Sequence, residues 1–208
     1  MAGDDEPHVR VLDFKLTVRL SCMHMRIFLD SSVLQCLQSY GEFVYENVEP
    51  SATDRIHSIP HGYEELDALR AIFFIGKRAP FEIALSNNSF AEVQARGDSH
   101  YLGWAGEVLA YWEACLASYE QHAAFAGTGP GLAAVMEGPE FGYLGKKDRL
   151  LLQDAAALEC EVFLTMDRKL EKNADHILRS TGLKVLLPSA LWKRLSRPRP
   201  LQQSGVSA

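Results

Sequence analysis

The sequence predicts an α/β fold: a three-layer sandwich with a central, mostly parallel sheet flanked by helices, plus a strand-like N-terminal extension. Three observations carry that expectation. Four short apolar runs, Met25–Leu29, Phe81–Leu85, Glu161–Leu164 and Leu183–Leu187, read as strands buried on both faces. Helical patterns, with apolar residues three and four apart, separate them. The chain's 208 residues, 47% hydrophobic and 23% charged, correspond to one domain with additions and supply ample apolar mass for a core.

In chain order, residues 1–24 form an extension in which Val9, Val11, Phe14, Leu16, Val18 and Leu20 recur at close to period two, the mark of a strand or hairpin arm. Met25 opens the domain proper, expected over 25–195. Ser31 or Ser32 is placed to cap a helix carrying Val33, Leu34, Leu37 and Tyr40. Glu64–Ile75 reads as a second helix, with Leu66, Leu69, Ile72 and Phe73 on one side. A short helix starting near Asn88 follows the second strand, and Tyr101–Phe125 reads as a long helix broken by Gly-Thr-Gly-Pro-Gly at 127–131. Lys146–Glu159 is the last strong helical pattern. The Pro-, Ser-, Gln- and Gly-rich residues 196–208 read as a disordered tail.

Composition narrows the function classes. With 27 Asp and Glu against 21 Lys and Arg, the net charge is −6, which argues against a protein that grips nucleic acid by bulk positive charge. Cys22, Cys36, Cys115 and Cys160 lie far apart with no CxxC spacing, which favours reduced, buried thiols over disulfides or a zinc site. No run of about 18 apolar residues occurs, and the opening Met-Ala-Gly-Asp-Asp-Glu is not a signal peptide, so the expectation is a cytoplasmic protein with no membrane span.

The informative feature is where the carboxylates fall. The first strand runs into Asp30-Ser31-Ser32, the second into Ser86-Asn87 and the third into Thr165-Met166-Asp167. Ligands of open parallel sheets bind outside the carboxyl ends of the strands, so Asp30, Ser86, Thr165 and Asp167 are expected to face one crevice. In the helix from Lys146, Asp148 falls on the face of Leu151, Leu152, Ala155 and Leu158, whereas Asp154 lies off it and reads as a solvated flank. Glu92 is placed to swing back over the strand ends. Each acid also has an ordinary structural reading. Asp148 suits a helix dipole. Ser89-Phe-Ala-Glu92 fits a capping box. Asp167 suits a cap for the next turn. The conjunction of four acids at one edge is what favours a site.

These segments resemble the PIN-domain nucleases. Met-Arg-Ile-Phe-Leu-Asp30-Ser-Ser resembles the family's opening strand and first acid. Ile83-Ala-Leu-Ser86-Asn-Asn-Ser-Phe-Ala-Glu92 resembles its second motif. The stretch from Asp148 through Thr165-Met-Asp167-Arg-Lys-Leu170 resembles the third and fourth, a helix opened by Asp and a strand closed by Thr-x-Asp. Lys184-Val-Leu-Leu-Pro188 is similar to the last strand and the proline after it, so the likeness spans residues 25–192. The segments between Asp30 and Glu92 and between Glu92 and Asp148 are longer than in compact members, and residues 1–24 match no motif.

The resemblance implies a metal-dependent hydrolase, an endoribonuclease cleaving RNA phosphodiester bonds with Mg²⁺ or Mn²⁺ at a site of four carboxylates. Asp30 and Asp148 would be direct ligands, with Glu92 and Asp167 holding the metal through water or orienting the attacking water. Ser32 and Thr165 would fix carboxylate rotamers or touch phosphate. Such ions prefer oxygen ligands, and four crowded carboxylates repel one another unless a cation fills the site. Lys146, Lys147, Arg149, Arg168 and Lys169 lie near the motifs and are candidates for tracking the RNA backbone, as are Lys172 and the set Lys193, Arg194, Arg197 and Arg199. Tyr101, Trp104 and Trp112 could stack bases, but their helical spacing beside Val108 and Leu116 favours a core or a homodimer interface.

Two readings stand beside this one. The first is a toxin component controlled by an antitoxin partner, testable by a small neighbouring reading frame. The second is a catalytically weak PIN-like module that binds RNA or protein. A haloacid-dehalogenase-like phosphatase would need an acid two residues after Asp30, where Ser32 stands. A phospho-receiver would need paired acids before its acceptor and a Lys closing a later strand, and neither is present.

Overall fold

The computed structural model describes residues 25–76, 81–94, 103, 105–110, 113–114, 136 and 138–196, and of residues 92 and 93 only the backbone. The expected strand-like extension at 1–24, the glycine-rich break at 127–131, Tyr101, Trp104, Trp112, Cys22, Cys115, Arg197, Arg199 and the tail beyond Ser196 therefore lie outside the described residues.

The chain is an α/β structure built on a four-stranded, all-parallel sheet. Strand β1 is Met25–Leu29, β2 Phe81–Ala84, β3 Val162–Leu164 and β4 Lys184–Leu186, in the order β2-β1-β3-β4. Met25 pairs with Phe81, Ile27 with Val162 and Phe163 with Val185. Alternate residues of these strands enter two separate cores, as the period of two along a strand requires. Ile27, Leu29, Val162 and Leu164 face one core, whereas Phe28 and Phe163 face the other, their rings stacked 5.4 Å apart. Burial on both faces is what makes the strand sequences uniformly apolar.

Helices cover both faces. Helices α1 (Ser31–Glu46), α2 (Gly62–Gly76) and α7 (Pro188–Leu195) supply the first core through Val33, Leu34, Leu37, Leu66, Leu69, Ile72 and Leu191. Helix α4 (Lys146–Ala157) and helix α6 (Ala174–Thr181) supply the second through Leu151, Leu152, Ala155 and Ile177. The short helices α3 (Asn87–Gln94) and α5 (Arg168–Lys172) follow the ends of β2 and β3. Ala105 is buried in the first core and Val108 packs against both, so part of the helical segment at 105–110 serves packing.

Several local expectations change. Helix α1 is capped at Asp30, with Ser31 already its first residue, rather than by Ser31 or Ser32. It stops where Asn47 turns left-handed at φ 61° and donates its N–H to the carbonyls of Phe43 and Glu42. Helix α2 begins two residues before Glu64, at Gly62, where a Cβ would lie 2.6 Å from the Ile56 carbonyl oxygen. Among the described residues three helices follow Lys146–Glu159, the last strong helical pattern of the sequence. Spans of 5, 8 and 8 residues hold little more than two turns at most, too few repeats for the apolar spacing to stand out. Cys36 and Cys160 are free and buried, as expected. Among the described residues, no helix is long and apolar enough to cross a membrane.

Candidate functional site

The ladder between β1 and β3 continues one residue past the strands. The Asp30 N–H donates to the Leu164 carbonyl at 3.0 Å, and the Thr165 N–H donates to the Leu186 carbonyl at 3.0 Å. This sets Asp30 beside Thr165 at the carboxyl edge of the sheet. From β1 the chain moves to β2 on one side, and then to β3 on the other. The β1/β3 boundary is therefore the topological switch point, where neighbouring connections diverge and leave a crevice.

Asp30 occupies the cap of α1 without using its side chain to cap it. Hydroxyls draw the carboxylate away. The Thr165 hydroxyl donates to Asp30 Oδ2 at 2.7 Å, and the Ser32 hydroxyl donates to the same oxygen. Each hydroxyl is oriented in turn by a backbone donor: Met166 N–H donates to Ser32 Oγ at 3.0 Å, and Asp167 N–H to Thr165 Oγ1 at 3.0 Å. With both protons committed to Asp30, the 3.3 Å approach of the two hydroxyls to each other is a close contact rather than a third bond. Asp30 is 4% exposed and Thr165 fully buried. Burial raises the Asp30 carboxyl above the usual carboxylate value, against the lowering effect of the Ser32 and Thr165 hydroxyls.

The other predicted acids are placed differently. Asp167 is half-buried, and its carboxylate accepts from the Lys169 N–H at 2.7 Å, capping α5. It therefore has the structural role that its position allowed, and only its backbone N–H joins the knot of hydrogen bonds formed by Asp30, Ser32 and Thr165. Asp148 sits in the first turn of α4, half-buried; a Cβ on Gly145, the cap residue, would meet its Oδ2 at 3.2 Å. The carboxylate thus folds over a helix terminus that has no side-chain cap, where the helix dipole favours it. Helix α4 leads into the start of β3, where the Glu161 N–H donates to the Arg26 carbonyl, so its first turn points back toward the strands' carboxyl ends. Glu92 lies within α3, and its side chain falls outside the description.

The capping box expected at Ser89 and Glu92 forms one turn earlier. Ser89 N–H donates to Ser86 Oγ at 3.3 Å, while Ser86 N–H donates to Ser89 Oγ at 3.0 Å. Ser86 is thus a cap, and Ser89, fully buried, is already inside the helix. Asp154 is not merely a solvated flank, because Asn88 Nδ2 donates to its Oδ2 at 2.8 Å, joining α3 to α4.

Of the basic residues, Lys146, Lys147, Arg168, Lys169, Lys172, Lys193 and Arg194 are exposed and Arg149 is half-exposed. One charged residue escaped the sequence reading. Glu65, 6% exposed, accepts from the Ser189 N–H at 2.8 Å and from the Ser189 hydroxyl at 2.9 Å, and lies 3.9 Å from Arg168 Nη2. Its spacing of four from Leu69 and seven from Ile72 places it on the buried stripe of α2 and was the available signal.

Among the described residues, no three His, Cys, Asp or Glu side chains are gathered to hold a metal ion. The side chains gathered at Asp30 nonetheless offer only oxygen, from Asp30, Ser32 and Thr165, which suits a hard divalent cation and not a soft one. Comparison with protein-family models, with curated proteins and with solved structures finds no match.

Proposed function

We propose that the chain is a metal-dependent nuclease of the PIN type, an endoribonuclease whose site lies at the β1/β3 switch point. The observation that carries this reading is the treatment of Asp30. A carboxylate at a helix cap ordinarily serves the helix's own N–H groups. Here Asp30 is desolvated and held instead by hydroxyls, those of Ser32 and Thr165 on Oδ2 and, more distantly at 3.4 Å, that of Ser31 on Oδ1. That arrangement fixes a rotamer and maintains a charge where burial opposes it, a common signature of functional carboxylates.

In this reading Asp30 and Asp148 hold Mg²⁺ or Mn²⁺, with Glu92 and Asp167 acting through water. The ion would lower the pKa of a bound water and offset charge on the transferring phosphoryl group. The chain's own contribution is placement. The Ser32 and Thr165 hydroxyls occupy Oδ2 of Asp30 and fix its rotamer, while Oδ1, which the Ser31 hydroxyl reaches only at 3.4 Å, would be the oxygen offered to the ion. The exposed Lys146, Lys147, Arg168 and Lys169, with the half-exposed Arg149, offer cations to the RNA backbone. A net charge of −6 leaves little broad affinity for nucleic acid, so the substrate is selected by local fit.

The test is cleavage of labelled single-stranded RNA with Mg²⁺ or Mn²⁺. EDTA and the variants Asp30→Asn and Asp148→Asn are each expected to abolish it. Cleavage that persists in EDTA, or in both variants, defeats the proposal.

A further inference from the structure

Resting on the nuclease reading above, we propose that Glu65 is a positioning residue that holds Arg168 at the lip of the site, where the guanidinium takes a non-bridging phosphate oxygen of the RNA. Helix α7 starts at Pro188 with Leu187 as its cap and has no side-chain cap of its own. Glu65, from α2, supplies it: one carboxylate oxygen accepts from Ser189 N–H at 2.8 Å and the other from Ser189 Oγ at 2.9 Å. With both oxygens pinned, the charge cannot move. Arg168 Nη2 lies 3.9 Å from this fixed charge, while the Arg168 side chain stays 45% exposed.

Arg168 is the first residue of α5, directly after Asp167, whose N–H is bonded to the Thr165 hydroxyl of the Asp30 knot. An untethered arginine at this point would spread over its many rotamers and lose that freedom on meeting a phosphate. A guanidinium has five N–H donors, so facing Glu65 with one nitrogen leaves capacity for a phosphate. A cap alone does not call for a buried carboxylate from another helix, because a serine or threonine at Leu187 would serve.

Bulk electrostatics and positioning predict opposite signs for one substitution. Glu65→Gln keeps hydrogen-bonding atoms for Ser189 but removes a negative charge, so general attraction predicts tighter RNA binding. Positioning predicts weaker binding, because Arg168 is released. The measurement is steady-state cleavage of a fluorescein-labelled, mixed-sequence single-stranded oligoribonucleotide in Mg²⁺, with thermal melts of every variant. Arg168→Ala and Glu65→Gln are each expected to raise KM about fivefold with kcat little changed, as for a partly exposed phosphate contact. The double variant is expected to be no worse than Arg168→Ala alone. The slope of log binding constant on log salt should fall by about 0.7 in Arg168→Ala. Ser189→Ala, which frees the Glu65 oxygen facing Arg168 but leaves the Ser189 N–H on the other, should lower Tm and raise KM by less than Glu65→Gln. An unchanged or lower KM in Glu65→Gln, or an unchanged KM in Arg168→Ala, overturns the proposal. Should Glu65→Gln not fold, Glu65→Asp decides, because its shorter reach should raise KM and an unchanged KM overturns the proposal. A wild-type protein that neither binds nor cuts the RNA overturns the nuclease reading itself, a result seen before any variant is compared.

Discussion

Replacing Thr165 by valine tests whether the hydroxyl knot, rather than simple packing, holds the site. Valine matches threonine in shape, so the fully buried position stays filled. Two interactions disappear: the 2.7 Å donation to Asp30 Oδ2 and the 3.0 Å acceptance from the Asp167 N–H. A hydrogen bond to a charged group contributes about 1.5–3 kcal/mol, and a backbone N–H left without a partner costs about 1–3 kcal/mol more. The added methyl and any water reaching Asp167 offset part of this, leaving a net loss of about 2–4 kcal/mol at neutral pH. For a chain of this size each kcal/mol lowers Tm by roughly 2–4 °C, so a fall on the order of 5–15 °C is expected. Thr165→Ser keeps both bonds and should lose only the methyl contribution, about 1 kcal/mol. The Thr165 bond lowers the Asp30 pKa, so removing it raises that pKa further. The valine penalty is therefore largest above the pH at which Asp30 titrates and shrinks as Asp30 is protonated. Urea unfolding of the three proteins at neutral and acid pH measures this. A valine variant as stable as the serine variant at neutral pH, or a penalty that grows in acid, refutes the reasoning.

Four further outcomes are expected. Because burial raises the Asp30 pKa in the folded chain, stability linked to its protonated form is complete below the ordinary pKa of an aspartate and is lost as pH rises through the folded pKa. Asp30→Asn should therefore match or exceed the wild-type Tm at neutral pH without divalent ions, and Mg²⁺ or Mn²⁺ should raise Tm only in the wild type, as read by scanning fluorimetry. Leu152→Ala, at a fully buried position of the second core, should cost about 2–5 kcal/mol in urea unfolding. Gly62→Ala drives a Cβ to 2.6 Å from the Ile56 carbonyl oxygen, so its melting temperature should fall although alanine is the better helix former. The thiols of Cys36 and Cys160, pushed up to about 12 by burial, should react with iodoacetamide only after unfolding, as mapped by peptide mass spectrometry.

The parts legible in the sequence are those with a physical period or a sharp boundary. Strand β1 was readable because Ile27, Phe28 and Leu29 are all buried and end abruptly at a polar run. The same holds for β3 and its exit through Thr165. The hydroxyl pairing of Asp30 was readable only as a class of interaction, since it depends on which strands are neighbours. Asp148 and Asp167 show the limit of position as a guide. Either acid can face a crevice or serve its own helix terminus from one sequence position, and side-chain rotamers decide between them. Helix α7 and its cap were hidden for another reason: Ser189 takes its acceptor from Glu65, 124 residues earlier. Local signals carry no trace of a partner so distant.

The bond between Asp30 and Thr165 closes a loop of 135 residues. No fragment released early in synthesis can contain both ends. Translation from the N-terminus delivers the acid first and its hydroxyl partner only after most of the chain has been made. The acid side chain and the hydroxyl that fixes it therefore meet only when the first and third strands pair, so the local order at Asp30 is a product of the whole sheet and not of its own segment.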